Sequence, residues 1–414
     1  MKKKSALILV GLLASPLVFA NQPVTMSGPV PALAPSYGAG ISRTLVYTIT
    51  NKVPKSLPIT IEGLSGSLTR TPVFNDCGTV LLPAQGTIPS VCNLGISITS
   101  TQAEVGSPVN QMLRVNYQGR KPLQADISFL ARQPMLYVTN FASNSVSQCL
   151  VNLETGVISQ CLVFSDPTIY EPISIIVNPS GTQVYVTNDN GTVSQCPVQA
   201  NGGLGPCTAS NALFDSPAGA LNPAGTLLYI ANFDGNTISV CSVNSNNPGG
   251  IGNCTSSVPG PLNGPDDIVI DPQNQFAYIT NTNANTILRC PIEANGNLGT
   301  CTQSNPTFAG PTGITINSAG TTLYINNDGA NTVSVCPVLP GAEFLGSCTS
   351  SNPDGNFNIA FGKNALYNST FLFVANGGGN FVSVCSLDSQ GDLISCPASN
   401  PDSTFDNPQG VALN

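Results

Sequence analysis

Carboxylates are the side chains in this sequence whose type and spacing could do chemistry. Five of six related segments place an acid where a turn leads into a strand. They are Glu171 (Tyr170-Glu-Pro-Ile-Ser174), Asp215 (Phe214-Asp-Ser-Pro217), Asp266 with Asp267 (Gly264-Pro-Asp-Asp267), Asp354 (Pro353-Asp-Gly-Asn-Phe357) and Asp406 (Phe405-Asp-Asn-Pro408). The sixth segment, Phe308-Ala-Gly-Pro311, carries none. Carboxylates gathered at one geometric position repel one another, and a bound cation such as Ca2+ or a basic partner relieves that repulsion. The competing reading is local: an Asp beside Pro and Gly caps its own turn. The chain has no histidine, which excludes Ser-His-Asp and Cys-His catalysis and His-ligated metals. No glycine-rich phosphate loop opens a helix.

The fourteen cysteines are the second chemically capable set. Their number is even and no C-x-x-C occurs, so thiolate zinc sites lose to disulfides, the usual form in an exported chain. Export is also expected from the first residues. Lys2, Lys3 and Lys4 precede the apolar run 6–19, and Val18 and Ala20 stand at the −3 and −1 positions of a cleavage site. Residues 1–20 are therefore read as a signal peptide, leaving no transmembrane segment in the mature chain. Periplasm, cell surface and medium are equally open.

Positioning these residues requires a scaffold, and the sequence repeats one. Tyr137-Val-Thr-Asn140 returns as Tyr185-Val-Thr-Asn188, Tyr229-Ile-Ala-Asn232, Tyr278-Ile-Thr-Asn281, Tyr324-Ile-Asn-Asn327 and Phe373-Val-Ala-Asn376. The closing asparagines lie 48, 44, 49, 46 and 49 residues apart, a propeller-blade period with strand-like content. Each repeat reads as four short strands. Asn201-Gly202 and Asn295-Gly296 predict tight primed hairpin turns between the third and fourth. Those two strands are expected to carry one Cys each, directly opposed, which predicts six pairs. They are Cys149 with Cys161, Cys196 with Cys207, Cys241 with Cys254, Cys290 with Cys301, Cys336 with Cys348 and Cys385 with Cys396. Pro408–Asn414 matches a lone first strand and Met135–Asn140 a second strand without a first, so the C-terminal strand is expected to close the ring.

Charge separates this unit from what precedes it. Residues 21–133 hold eight basic and four acidic residues, whereas residues 134–414 hold Arg289 and Lys363 against 17 acids. The acidic unit is expected to avoid nucleic acid. Residues 21–133 show short strands between Pro- and Gly-rich turns, the pattern of an immunoglobulin-like β-sandwich, with Cys77 and Cys92 as the remaining pair. The stretch 21–40 is expected to be a mobile leader.

The repeated Tyr-[Val/Ile]-x-Asn strand, with Asn-x-[Val/Ile]-Ser after it and Pro-x-Gly-[Ile/Val]-x-[Ile/Leu]-Asn before it, resembles the YVTN family of β-propeller repeats, which is similar to lactonase-like propellers. Asn75-Asp-Cys77, Val91-Cys-Asn93 and Leu81-Leu-Pro-Ala-Gln-Gly86 resemble the choice-of-anchor D type of immunoglobulin-like module. The first resemblance implies a six-bladed propeller over 134–414. It also implies a calcium ion in the channel, for which Asp266 and Asp267 are the candidate ligands. The all-β chain is thus expected to be an exported, non-enzymatic binding or envelope-interaction protein with a protein or glycan partner. The alternative is a calcium-dependent lactonase-like hydrolase with its site at the channel mouth.

Overall fold

The computed structural model describes residues 24–414 apart from 31–35, 39–42, 65–67, 72, 74, 85–87, 99–107, 119, 211–212, 245–249, 305–307 and 368–369. The expected signal peptide lies outside the described residues. The regular elements among the described residues are β-strands and 3-10 turns of three residues, and no helix there is long and apolar enough to cross a membrane.

Residues 24–132 form two facing sheets. One runs in the order Val24–Val30, Arg43–Asn51, Ser90–Ile98, Leu68–Thr71; the other Ser36–Gly38, Leu123–Arg132, Pro108–Tyr117, Leu57–Glu62, Val80–Leu81. Alternation sends Leu45, Tyr47 and Ile49 of the first sheet into a core shared with Leu113, Val115 and Ile127 of the second. Cys77 bonds Cys92 beside it. The 21–40 stretch is not only a leader: Val24–Val30 pairs with Arg43–Asn51, and Ser36–Gly38 pairs in parallel with Leu123–Arg132. Val24 is completely buried, and that burial holds the segment down.

From Met135 onward, six antiparallel sheets of four or five strands follow one another among the described residues. They are called blades here, numbered from Met135. Their inner strands pack side by side in a ring, the last against the first. Those strands are Pro408–Leu413, Pro172–Val177, Pro217–Leu221, Pro265–Ile270, Pro311–Ile316 and Asn364–Tyr367 for blades one to six. Pro408–Leu413 pairs with Met135–Asn140, so the last strand completes the first blade and removes an open edge.

All seven expected disulfides are formed. Besides Cys77 with Cys92, the blades hold Cys149 with Cys161, Cys196 with Cys207, Cys241 with Cys254, Cys290 with Cys301, Cys336 with Cys348 and Cys385 with Cys396. The expected placement on opposed strand residues needs correction. In blade three Cys241 and Cys254 are indeed ladder partners. In blades two, four and five the fourth strand is short, Thr208–Ala209, Thr302–Gln303 and Thr349–Ser351, and begins one residue after Cys207, Cys301 and Cys348. Cys396 likewise falls between Leu393–Ser395 and Ala398–Ser399. In these four blades the disulfide joins the third strand to the chain beside the fourth, at the edge of the sheet.

The Asn that ends each second strand is a fastener. Its amide Nδ2 donates to a third-strand Ser hydroxyl in five blades: Asn140 to Ser147, Asn188 to Ser194, Asn232 to Ser239, Asn327 to Ser334 and Asn376 to Ser383. Blade four has Leu288 in place of the Ser, and there Asn281 donates to the Pro261 carbonyl instead. The tight primed turns are not formed. Gly202 and Gly296 have positive φ but Asn201 and Asn295 do not. The Gly296 N–H donates to the Glu293 carbonyl, and the Glu293 N–H donates to the Asn297 carbonyl. That is a three-residue loop with a glycine bulge, the next most common hairpin.

Candidate functional site

The turns that lead into the inner strands are pinned from two sides. The N–H groups of Tyr170, Asp215, Asn263, Asn358 and Asp406 donate to the Oδ1 of the second-strand Asn in the same blade. The next residue donates to an Asn in the preceding blade: Glu171 to Asn144, Gly264 to Asn236, Ile359 to Asn331 and Asn407 to Asn380. All four of these acceptor asparagines have positive φ, a conformation that Asn tolerates better than most residues. Blade-to-blade contact at this rim is therefore built from carboxamides.

Glu171, Asp215 and Asp406 sit in these pinned turns, Asp215 exposed and the other two half-buried. Asp354 points elsewhere. Its carboxylate accepts from the Ser395 hydroxyl and the Cys396 N–H on the outer hairpin of blade six. Asp166 and Asp402 do the same for Cys207 and Cys161. These acids cap disulfide hairpins, a use of Asp in linkers that turn chemistry explains.

Asp266 and Asp267 lie inside an inner strand and are each only 6% exposed. The structure joins them to Lys363, 3% exposed, which the sequence reading did not single out. Lys363 Nζ donates to Asp266 Oδ1 at 2.5 Å and to the Thr312 carbonyl at 3.0 Å. Asp267 Oδ1 accepts from the Ile268 N–H, and its Oδ2 accepts from the Ile314 N–H of blade five at 3.0 Å. Three blades thus meet through one buried cation and two buried acids. Burial pushes the Asp267 carboxyl up to about 7, against the opposing pull of Lys363 and the two amides. Burial likewise raises Asp266, and Lys363 opposes it.

Lys363 and Asp267 occupy a position where other blades carry Ser174, Ala218, Gly313 and Gly410, as strand register shows. Small residues are needed there because the inner strands converge. A Cβ on Gly410 would lie 2.9 Å from the Ser174 Cα, and one on Gly313 would lie 2.8 Å from the Gly362 carbonyl oxygen. A signal for Lys363 was present: it is one of two basic residues after position 133 and stands where a small residue recurs. The other, Arg289, stacks its guanidinium on Phe276 and Phe344 at 4.7 and 4.9 Å and donates to the Gly341 carbonyl, tying blade four to blade five.

Between the inner strands lies a cavity of about 490 Å³. It runs from Ser174, Asp267 and Lys363 to the turns at Pro179, Pro223 and Ser318, and Ile175, Ile268, Ile270, Ile314, Ile316 and Val411 line it between. The acids do not fit a calcium ion, which takes six to eight oxygen ligands. An ammonium already sits on Asp266, and both oxygens of Asp267 accept main-chain N–H groups. Among the described residues, no three acidic or cysteine side chains are grouped to hold a metal.

Neither a protein-family model nor a curated protein matches the chain. Solved structures do. The periplasmic gluconolactonase of Pseudomonas aeruginosa superposes with a TM-score of 0.50 at 14% identity, over 74% of this chain and 99% of that one. A chain of the nidogen–laminin complex gives 0.51 at 15% identity, over 68% and 98%. A protein from Lactobacillus plantarum gives 0.50 at 15%, over 68% and 99%. The fold is a β-propeller. At these identities the likeness concerns architecture alone, since a propeller hosts unrelated activities.

Proposed function

We propose that this propeller is an exported, non-enzymatic binding or cell-envelope interaction protein. In this reading residues 1–20 are its signal, 21–133 an immunoglobulin-like module and 134–414 a six-bladed propeller. Seven disulfides support an oxidising compartment. One observation carries the non-enzymatic part: the carboxylates best placed for chemistry are already engaged. Asp266 pairs with Lys363, Asp267 holds two main-chain amides, and Asp354 caps a neighbouring hairpin. A hydrolase needs several polar groups that converge on a substrate and remain free for it.

The second reading, a calcium-dependent lactonase-like hydrolase, is favoured by the likeness in fold to the gluconolactonase. Hydrolysis of gluconolactone, followed in a pH-stat with millimolar Ca2+ and then with chelator, separates the two. No rate above the buffer blank is expected. A calcium-dependent rate that saturates with substrate would overturn the binding reading.

A further inference from the structure

We propose that the end of the sandwich farthest from the propeller is a docking tip for a bilayer surface rich in anionic phospholipid. This deepens the envelope-interaction reading and rests on it. Strand register locates the tip. Ile59 pairs with Tyr117 and Val115 with Leu123, so the turn 118–122 lies beside the start of Leu57–Glu62. Asn51 pairs with Ser90 at the matching end of the facing sheet, and residues 52–56 cross from one sheet to the other. The opposite end belongs to the propeller. There Arg132, the last residue of Leu123–Arg132, is buried and donates through Nη1 to the Asn414 carbonyl, just past the closing strand.

Four of the eight bases of residues 21–133 gather at the tip. Lys52 and Lys55 stand in the crossing turn, Arg120 and Lys121 in the turn 118–122, and all four are exposed. None of them forms an ion pair among the described residues. The described acids of this unit lie elsewhere: Glu62 and Asp126 sit in strands opposite Arg114 and Met112, and Asp76 is held by Arg70. Two apolar side chains share the tip, and the backbone turns one of them outward. Asn51, 1% exposed, donates through Nδ2 to the Lys55 carbonyl at 3.0 Å and to the Leu82 carbonyl at 2.8 Å, while its Oδ1 accepts the Val53 N–H. The Ala84 N–H donates to the Val53 carbonyl, which ties the loop to the crossing turn. With Leu81 and Ala84 buried on either side, Leu82 is left 69% exposed. Ile88, two residues before Ser90, is 70% exposed. A wholly polar anionic partner would engage the bases and leave Leu82 and Ile88 in water. A bilayer interface takes both, its phosphates meeting the bases and its acyl boundary the apolar side chains. The acidic propeller does not cancel this attraction. It lies beyond a ten-residue strand, about 33 Å long, and the Debye length at physiological salt is about 8 Å.

The chain has no tryptophan, so one introduced at the tip reports on that place alone. The exported chain, without residues 1–20, is mixed with vesicles of phosphatidylcholine containing phosphatidylglycerol and, as a control, with phosphatidylcholine alone. Sedimentation should show at least about tenfold stronger partition onto the anionic vesicles, weakened when salt is raised from about 0.05 M to about 0.5 M. Lys52→Gln, Lys55→Gln, Arg120→Gln and Lys121→Gln together should lower that partition at least about tenfold. Emission from Leu82→Trp should shift to the blue on the anionic vesicles, whereas emission from Val157→Trp, at an exposed propeller position, should not. Equal partition onto neutral vesicles, binding unchanged by the four Gln substitutions, or no shift from Leu82→Trp would overturn the proposal. So would self-association that the four substitutions abolish, without any vesicle binding, which would assign the tip to the acidic propeller of a second copy. Lactone hydrolysis enters none of these readouts, so the tip and the non-enzymatic reading can fail separately.

Discussion

Counted from the proline that opens each inner strand, Asp215 and Asp266 stand three positions apart, yet their surroundings share almost nothing. Asp215 is exposed in a turn whose N–H is already held by Asn232. Asp266 is buried on a salt bridge that crosses an inner strand of the ring. An acid at the rim keeps its hydration and costs the fold little. An acid one step inside must be paired, because an uncompensated buried charge is strongly destabilising. Position in the fold, more than residue type, sets what each carboxylate can do.

The largest expected difference between the two environments comes from removing the cation. Lys363→Met should destabilise the protein by about 3–5 kcal/mol, since Asp266 is then buried without a partner. Asp266→Asn added to that variant should recover part of the loss, measured by urea unfolding. A Lys363→Met protein as stable as the parent would erase the contrast between floor and rim.

Next in size is a pH effect that belongs to the floor alone. The folded-state pKa of Asp267, about 7, lies above that of the unfolded carboxyl, about 3.9. Between those values the folded chain keeps a proton that the unfolded chain has released. Its contribution is therefore fully present below about pH 4 and is lost as pH rises through about 7, by up to about 4 kcal/mol. Unfolding midpoints should fall from pH 5 to pH 8, and Asp267→Asn should flatten that dependence. A slope unchanged by Asp267→Asn would assign the effect to other groups.

The smallest effect sharpens the other side. Asp215→Asn should change stability by no more than about 0.5 kcal/mol, the usual range for exposed positions, by the same urea measurement. A loss of about 2 kcal/mol or more, on the scale of a buried-group effect, would mean that the rim acids also hold the ring together.

What repeats six times is readable from the chain. The Tyr-x-x-Asn strands and the cysteine pairs recur with a period, the incomplete repeats at the two ends complete each other, and each feature is satisfied within a blade or by its neighbour. Asn140 and Ser147, seven residues apart, meet the same way as Asn376 and Ser383. The Asp266–Lys363 contact occurs once and spans 97 residues, so no periodicity announces it. Asp266 and Asp267 stand out as a doublet, but only register across the inner strands places Lys363 beside them. The outer hairpins show the same limit on a small scale. Similar spacings of 11 and 12 residues pair Cys290 with Cys301 and Cys336 with Cys348, yet they do not say that the fourth strand starts after the cysteine. Asn-Gly reports that a turn is present, whereas the choice of a bulged loop over a primed turn depends on the strands it joins.

The central claim is that the buried acids fasten the ring and do not form a cation site. Calcium titration of the native protein by isothermal calorimetry tests this most directly, with the double variant Asp266→Asn plus Asp267→Asn as its control. Saturable heat is expected from neither protein, because Lys363 and the main-chain amides already occupy the carboxylates. Uptake of about one Ca2+ per chain by the native protein, abolished in the double variant, would contradict the account.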